Sequence, residues 1–135
     1  MADFVVDASV ALKWVLQESG SDKARDLLRH ELHAPDFWRV ECANALWSVE
    51  RRGLADKVKI IGLLDEIREI RITNYPAALF LREALSMALV LCHPVYDCLY
   101  LALALAEDIP LVTADEKFYK AVRKHAKLKH TVELL

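Results

Sequence analysis

Between Val95 and Ala106, eleven of twelve consecutive residues are apolar or Tyr, and the exception is Asp97. A helix of that composition has no polar face to offer water, so the rest of the chain has to enclose it on nearly every side. Twelve residues are too few to cross a membrane, and the longer apolar stretch from about Leu85 to Leu105 is broken by His93, Pro94 and Asp97. Met1 to Asp7 carries no basic leader segment either. The reading is a core helix in a chain without membrane span or signal peptide.

What encloses that helix is legible in short runs elsewhere. Phe4-Val5-Val6 is β-branched and aromatic, begins almost at the terminus and stops at Asp7, as a buried parallel strand does. Ile70 to Thr73, Pro110 to Thr113 and Val132 to Leu134 are read as further short strands. Helices are expected from the run Val10, Ala11, Trp14 and Val15 to a close at Gly20-Ser21, over Asp22–Leu32, and from Pro35 with Asp36 as N-cap to a stop at Gly53. The next run from about Ala55 to Glu69, with Val58, Ile61, Leu64 and Ile67 as its apolar face. Ala77–Leu91, apolar enough to be mostly buried, Val95–Ala106 and Ala114 to about Ala126 complete the set. Strands alternating with helices predict a three-layer α/β/α domain, with a short central parallel sheet flanked by about seven helices. At 135 residues this is one domain, 1–135.

Four acids stand in apolar company. Asp7 ends the first strand, Asp97 sits in the first turn of the buried helix, and Asp115 follows Leu111-Val112. In an open parallel sheet the ligand crevice lies outside the carboxyl ends of the strands, where these positions converge. Glu41 lies in a helix between Trp38-Arg39-Val40 and Cys42-Ala43, with no basic residue one turn further on. Each acid also has a plainer reading. Asp7 and Asp115 suit N-caps, Thr113-Ala114-Asp115-Glu116 suits a capping box, Asp97 favours the positive end of its helix, and Glu41 has distant cations to choose from. Together, however, four carboxylates in one cleft repel each other and raise their own pKa values unless cations neutralise them. An all-oxygen set points to Mg²⁺ or Mn²⁺ and away from zinc. His30, His33, His93, His125 and His130 lack metal-motif spacing, and Cys42, Cys92 and Cys98 form neither a CxxC pair nor an even set. These histidines are read as surface or structural, and the cysteines as those of a reducing cytoplasm. Mg²⁺ held by carboxylates is the chemistry of phosphodiester cleavage.

Four segments then resemble a known family. Val5-Val6-Asp7-Ala8-Ser9, Glu41-Cys42-Ala43-Asn44, Tyr96-Asp97-Cys98-Leu99-Tyr100-Leu101-Ala102 and Leu111-Val112-Thr113-Ala114-Asp115-Glu116-Lys117 resemble, in order and spacing, the PIN domains, and among them the VapC-type toxins of toxin-antitoxin operons. The resemblance spans essentially the whole chain. It implies a Mg²⁺- or Mn²⁺-dependent endoribonuclease with Asp7, Glu41, Asp97 and Asp115 in its acidic pocket. Asp7 and Asp97 are implied as the metal ligands, and Glu41 and Asp115 as residues that bind a second ion or position the nucleophile. Ser9, Asn44 and Thr113 are implied as supports of the carboxylates. For Ser9 and Thr113 helix capping competes with that role, and for Asn44 an ordinary buried amide.

The resemblance also implies a homodimer and a cognate antitoxin that lies in a groove near the pocket, in keeping with the surplus of Trp, Leu and Ile in the third and fourth helices. RNA contact has its own local sign. The chain as a whole carries a net charge of -2, yet Glu116 to His130 holds six Lys and Arg against one Glu. Lys117, Lys120, Arg123 and Lys124, starting beside Asp115, are read as phosphate contacts or as a solvated helix face. Three other readings compete. An aspartyl-phosphate phosphatase needs a second acid two residues after the first, where Ser9 stands. A PIN-type nuclease outside a toxin-antitoxin system and a degenerate PIN fold kept for protein binding fit the same resemblance, although all four acids are present.

Overall fold

The computed structural model describes residues 1–135. In chain order it runs β1 (Asp3–Val6), α1 (Ala8–Val15), α2 (Ser21–Asp26), β2 (Glu31–Pro35), α3 (Trp38–Arg51), α4 (Lys57–Arg68), β3 (Thr73–Tyr75), α5 (Leu81–Leu91), α6 (Val95–Glu107), β4 (Leu111–Thr113), α7 (Glu116–Arg123) and β5 (Val132–Leu134). Short 3-10 turns follow α2 and precede α5. The five strands form one parallel sheet in the order β3-β2-β1-β4-β5. The expected α/β architecture with seven helices is therefore present. No single helix is long and apolar enough to cross a membrane.

That strand order decides where chemistry can sit. The chain steps outward from β1 to β2 and β3, then returns to the other side of β1 for β4 and β5. The reversal lies between β1 and β4, and the connections leaving their carboxyl ends diverge there and open a crevice. Asp7 follows β1 and Asp115 lies just beyond β4, so both stand at this switch point. Helix α6 packs across β1 and β2 and carries α5 on its outer side. Seven consecutive residues of α6, Cys98 to Ala104, are buried. Val5, Val6, Val10, Trp38, Leu46, Tyr100, Leu101, Leu111 and Phe118 belong to the same core.

Several local expectations are corrected. The helix read over Asp22–Leu32 ends its α-helical part at Asp26, and Glu31–Pro35 is a strand pairing with both β1 and β3. Its Leu32 and Ala34 are buried on a period of two, a signal hidden by the weak strand propensity of Glu-Leu-His-Ala-Pro. Asp36 does not cap α3, which starts at Trp38 behind Phe37; its carboxylate instead accepts the Ala77 N–H at 3.1 Å and pins the entrance to α5. β3 lies at Thr73–Tyr75, slightly beyond the expected Ile70–Thr73.

The apolar face assigned to α4 is also partly wrong. Leu63 and Ile67, spaced by four, are buried, whereas Val58 is 84% and Ile61 60% exposed. Helix α5 buries only Ala84 and Ala88 and leaves Leu81, Leu85, Leu89 and Val90 in solvent. Periodicity identifies an apolar stripe but does not say whether this chain or another covers it.

Candidate active site

Asp7 is built into the β1–α1 turn by its own capping geometry. Its Oδ1 accepts the Val10 N–H at 3.2 Å and N-caps α1. Ser9 Oγ donates to the same oxygen at 2.5 Å, and Thr113 Oγ1, at the end of β4, donates to Oδ2 at 2.5 Å. Ser9 Oγ also accepts the Ala114 N–H, and Thr113 Oγ1 the Asp115 N–H. Two hydroxyls thus stitch the turns after β1 and β4 together across the switch point, with Asp7 between them. Asp7 caps a helix and is at the same time the buried centre of this network. Ser9 and Thr113 serve the carboxylate and cap no helix.

Asp115 is the N-cap of α7, accepting the Phe118 N–H at 3.1 Å. The capping box expected from Thr113 to Glu116 is absent, because Thr113 already sits inside β4 and turns its hydroxyl to Asp7.

Glu41 is half-buried in the first turn of α3 and accepts a 2.5 Å hydrogen bond from Tyr100 Oη of α6. Asp97, one turn earlier in α6, pairs through Oδ2 with His93 Nε2 at 2.5 Å. Sequence reasoning left both partners without a site role. Tyr100 follows Asp97 by three residues within α6, whereas His93 lies in the short connection before Pro94, outside the helix. The His93 side chain is only 7% exposed, so of the surface and structural readings of this histidine the surface one is corrected.

Burial pushes Asp7 up to about 6, against the lowering effect of its hydrogen bonds from Ser9, Thr113 and Val10 and with the Asp97 charge adding to the rise. It pushes Glu41 up to about 7; the Tyr100 hydroxyl opposes the rise, and the charges of Asp97 and Asp7 add to it. The structure therefore gathers Asp7, Glu41 and Asp97 into one electrostatic unit. The charge of Asp115 is not among those acting on Asp7 or Glu41. Asn44 is exposed on α3, so its reading as a buried amide is corrected too. No Lys or Arg forms a salt bridge with any of the four acids. Each carboxylate of the trio is oriented by donors with no permanent charge: hydroxyls, a phenol and an imidazole.

That arrangement bears on a cation. No three His, Cys, Asp or Glu side chains stand close enough to form a ready-made metal cage. Mg²⁺ seldom uses one, since it binds through one or two carboxylates and keeps several waters. Oxygen donors, mutual repulsion and the absence of a Lys or Arg salt bridge make this a donor set that could hold a hard divalent ion. Losing the Tyr100 hydroxyl should raise the Glu41 pKa further, because that bond favours the ionised form. Tyr100→Phe is accordingly expected to shift the acid limb of any pH–rate profile upward while leaving the fold intact.

Helix α7 turns Phe118 and Val122 inward and leaves Lys117 and Lys120 exposed. Arg123 and Lys124 at its end are exposed as well, with Arg123 donating to the Lys129 carbonyl at 3.1 Å. The basic face begins two residues after Asp115. On the other flank, Leu46, Trp47, Ile60, Ile61 and Leu64 line an apolar groove of about 580 Å³ between α3 and α4.

Comparison with known proteins follows the same lines. A family model described as PIN domain matches residues 4–124. Ribonuclease VapC3 of Pyrobaculum aerophilum is 34% identical over 119 residues, covering 84% of this chain and 89% of that protein. Ribonuclease VapC12 of Mycobacterium tuberculosis is 27% identical over 126 residues, covering 92% and 95%. Among solved structures, PAE2754 from Pyrobaculum aerophilum superposes with a TM-score of 0.68 at 23% identity, covering 89% of this chain and 79% of that one. VapBC2 from Rickettsia felis, bound to a DNA fragment from its promoter, does so with 0.65 at 14% identity, covering 98% of both.

Proposed function

This chain belongs to the PIN-domain family, and from that premise we propose that residues 1–135 form a single PIN-like domain acting as a metal-dependent endoribonuclease, the toxin of a VapBC-like pair in the cytoplasm. The observation that carries the proposal is the trio of buried Asp7 with the partly buried Glu41 and Asp97, oriented by donors without permanent charge and in salt bridges with no Lys or Arg. The ribonuclease names of relatives covering most of the chain support the substrate class.

In this reading Asp7 and Asp97 hold Mg²⁺ or Mn²⁺. The ion, when bound, stabilises the charge of the phosphoryl transition state and makes the attacking water more acidic. Ser9 and Thr113 fix both oxygens of Asp7 so that the carboxylate does not rotate away when charge arrives. Glu41, raised to about 7 and held by Tyr100, takes the proton that the attacking water releases. Asp115 completes the pocket from the next turn, and Asn44 lines its approach. Lys117, Lys120, Arg123 and Lys124 hold backbone phosphates without reading sequence. The exposed apolar side chains take protein partners: an antitoxin segment along the α3–α4 groove, where Trp47 is 54% exposed, and a second copy of the chain at another apolar face.

The test is the chemistry of the products. Purified protein freed of any bound partner is incubated with total RNA, and the fragment ends are characterised. Attack by water leaves linear phosphate ends and tolerates a 2′-deoxy substitution at the scissile nucleotide. Attack by the 2′-hydroxyl leaves 2′,3′-cyclic ends and would refute this mechanism. Intact RNA in every lane, with no metal bound, would favour a PIN fold retained for protein binding.

A further inference from the structure

We propose that His93 is a positioning residue for Asp97: it commits one carboxylate oxygen to its own Nε2–H and so presents the other to the cation. The inference rests on the reading of Asp97 as a metal ligand. An ionised carboxylate only accepts hydrogen bonds, so across the 2.5 Å contact with Oδ2 it is Nε2 that carries the hydrogen.

The ring has little freedom to leave. It lies against Phe118 of α7 with centroids 4.8 Å apart and planes at 37°, and Phe118 is itself fully buried. The backbone is clamped as well. Cys92 ends α5 in the left-handed conformation at φ 53°, and Pro94 caps α6 at φ -56° and confines His93 to extended geometry. The His93 N–H is tied to the Ala88 carbonyl at 3.2 Å. A single residue between two helices is thus fixed on both sides, by backbone and by ring. No Lys or Arg forms a salt bridge with Asp97, so the His93 ring is the side chain that orients this carboxylate. A lysine there would hold Asp97 equally still and compete with the cation. The imidazole holds one oxygen of the ligand and leaves the other to the metal, as hydrogen-bonding partners of metal-bound carboxylates do elsewhere.

The experiment measures Mn²⁺ affinity of the metal-free protein by the spin-resonance signal of free Mn²⁺, with melting temperatures recorded alongside. His93→Gln keeps an amide donor at nearly the same reach. His93→Asn keeps the donor but stops short of Asp97, and His93→Leu removes it. The Asn and Leu variants are expected to bind Mn²⁺ about 10- to 100-fold more weakly, with the Gln variant recovering most of the loss. A merely structural role would lower melting temperatures without separating Gln from Asn in affinity. If the Leu variant does not fold, the Gln and Asn pair decides. Wild-type affinity in a folded Asn variant overturns the inference while leaving the metal reading intact. Wild-type protein that binds no Mn²⁺ overturns both.

Discussion

Asp7→Asn should reduce metal-dependent RNA cleavage by more than ~100-fold, since removing a direct ligand exceeds the 10- to 100-fold that changes in supporting groups commonly bring. The fold should survive the change. Asn accepts the Val10 N–H as Asp7 does, the Ser9 hydroxyl has the same oxygen to donate to, and the Thr113 hydroxyl rotates to accept from the new amide. Loss of activity with preserved circular dichroism separates a chemical role from a structural one. Comparable cleavage by wild type and variant would remove Asp7 from the chemistry.

The same carboxylate should make the metal-free protein less stable at neutral pH than in mild acid. Asp7 rises from its ordinary 3.8 to about 6 on folding, so the folded state binds the proton more tightly than the unfolded state. The resulting penalty is absent below about pH 4, where both states are protonated. It grows as pH rises through the folded value and is complete above it, reaching about 3 kcal/mol. Glu41, raised to about 7, extends the window upward in the same direction. Metal-free wild type is therefore expected to melt on the order of 10 °C below Asp7→Asn at pH 8, the gap closing toward pH 4. Mn²⁺ at 100 times its dissociation constant should return about 2.7 kcal/mol to the wild type and almost none to the variant. A gap independent of pH, or a variant that gains as much from Mn²⁺, would contradict this coupling.

How far the sequence carried the argument depended on the kind of signal. The β-branched run before Asp7 and the all-round apolar helix after Pro94 have one physical solution each, a buried strand and an enclosed helix, and both are present. β2 escaped because Glu31, His33 and Pro35 are poor strand formers, and tertiary pairing on both edges outweighs that propensity. The burial of α4 and α5 was misread because a stripe on a helix is the same signal whether it packs on its own core or on a partner.

At the site, Asp7, Glu41 and Asp97 were visible as acids in apolar company, Glu41 with no basic residue one turn further on. Tyr100 and His93 were hidden, the first in a run that read as core and the second as an isolated histidine. Each became legible only when the α6 geometry placed it against a carboxylate. Asp115 and Asn44 mark the opposite limit: their order in the chain matches a family pattern, while the charge of Asp115 is not among those acting on Asp7 or Glu41 and Asn44 is exposed on α3.

Removal and restoration of metal on one preparation tests the central claim most directly. Protein stripped with EDTA and passed free of chelator is added to structured RNA, followed by Mn²⁺ or Mg²⁺ in a second step, with Asp7→Asn treated identically. The account predicts intact RNA before addition, discrete cleavage after it, and none in the variant. Cleavage that proceeds equally in EDTA, or that survives in Asp7→Asn, would contradict it.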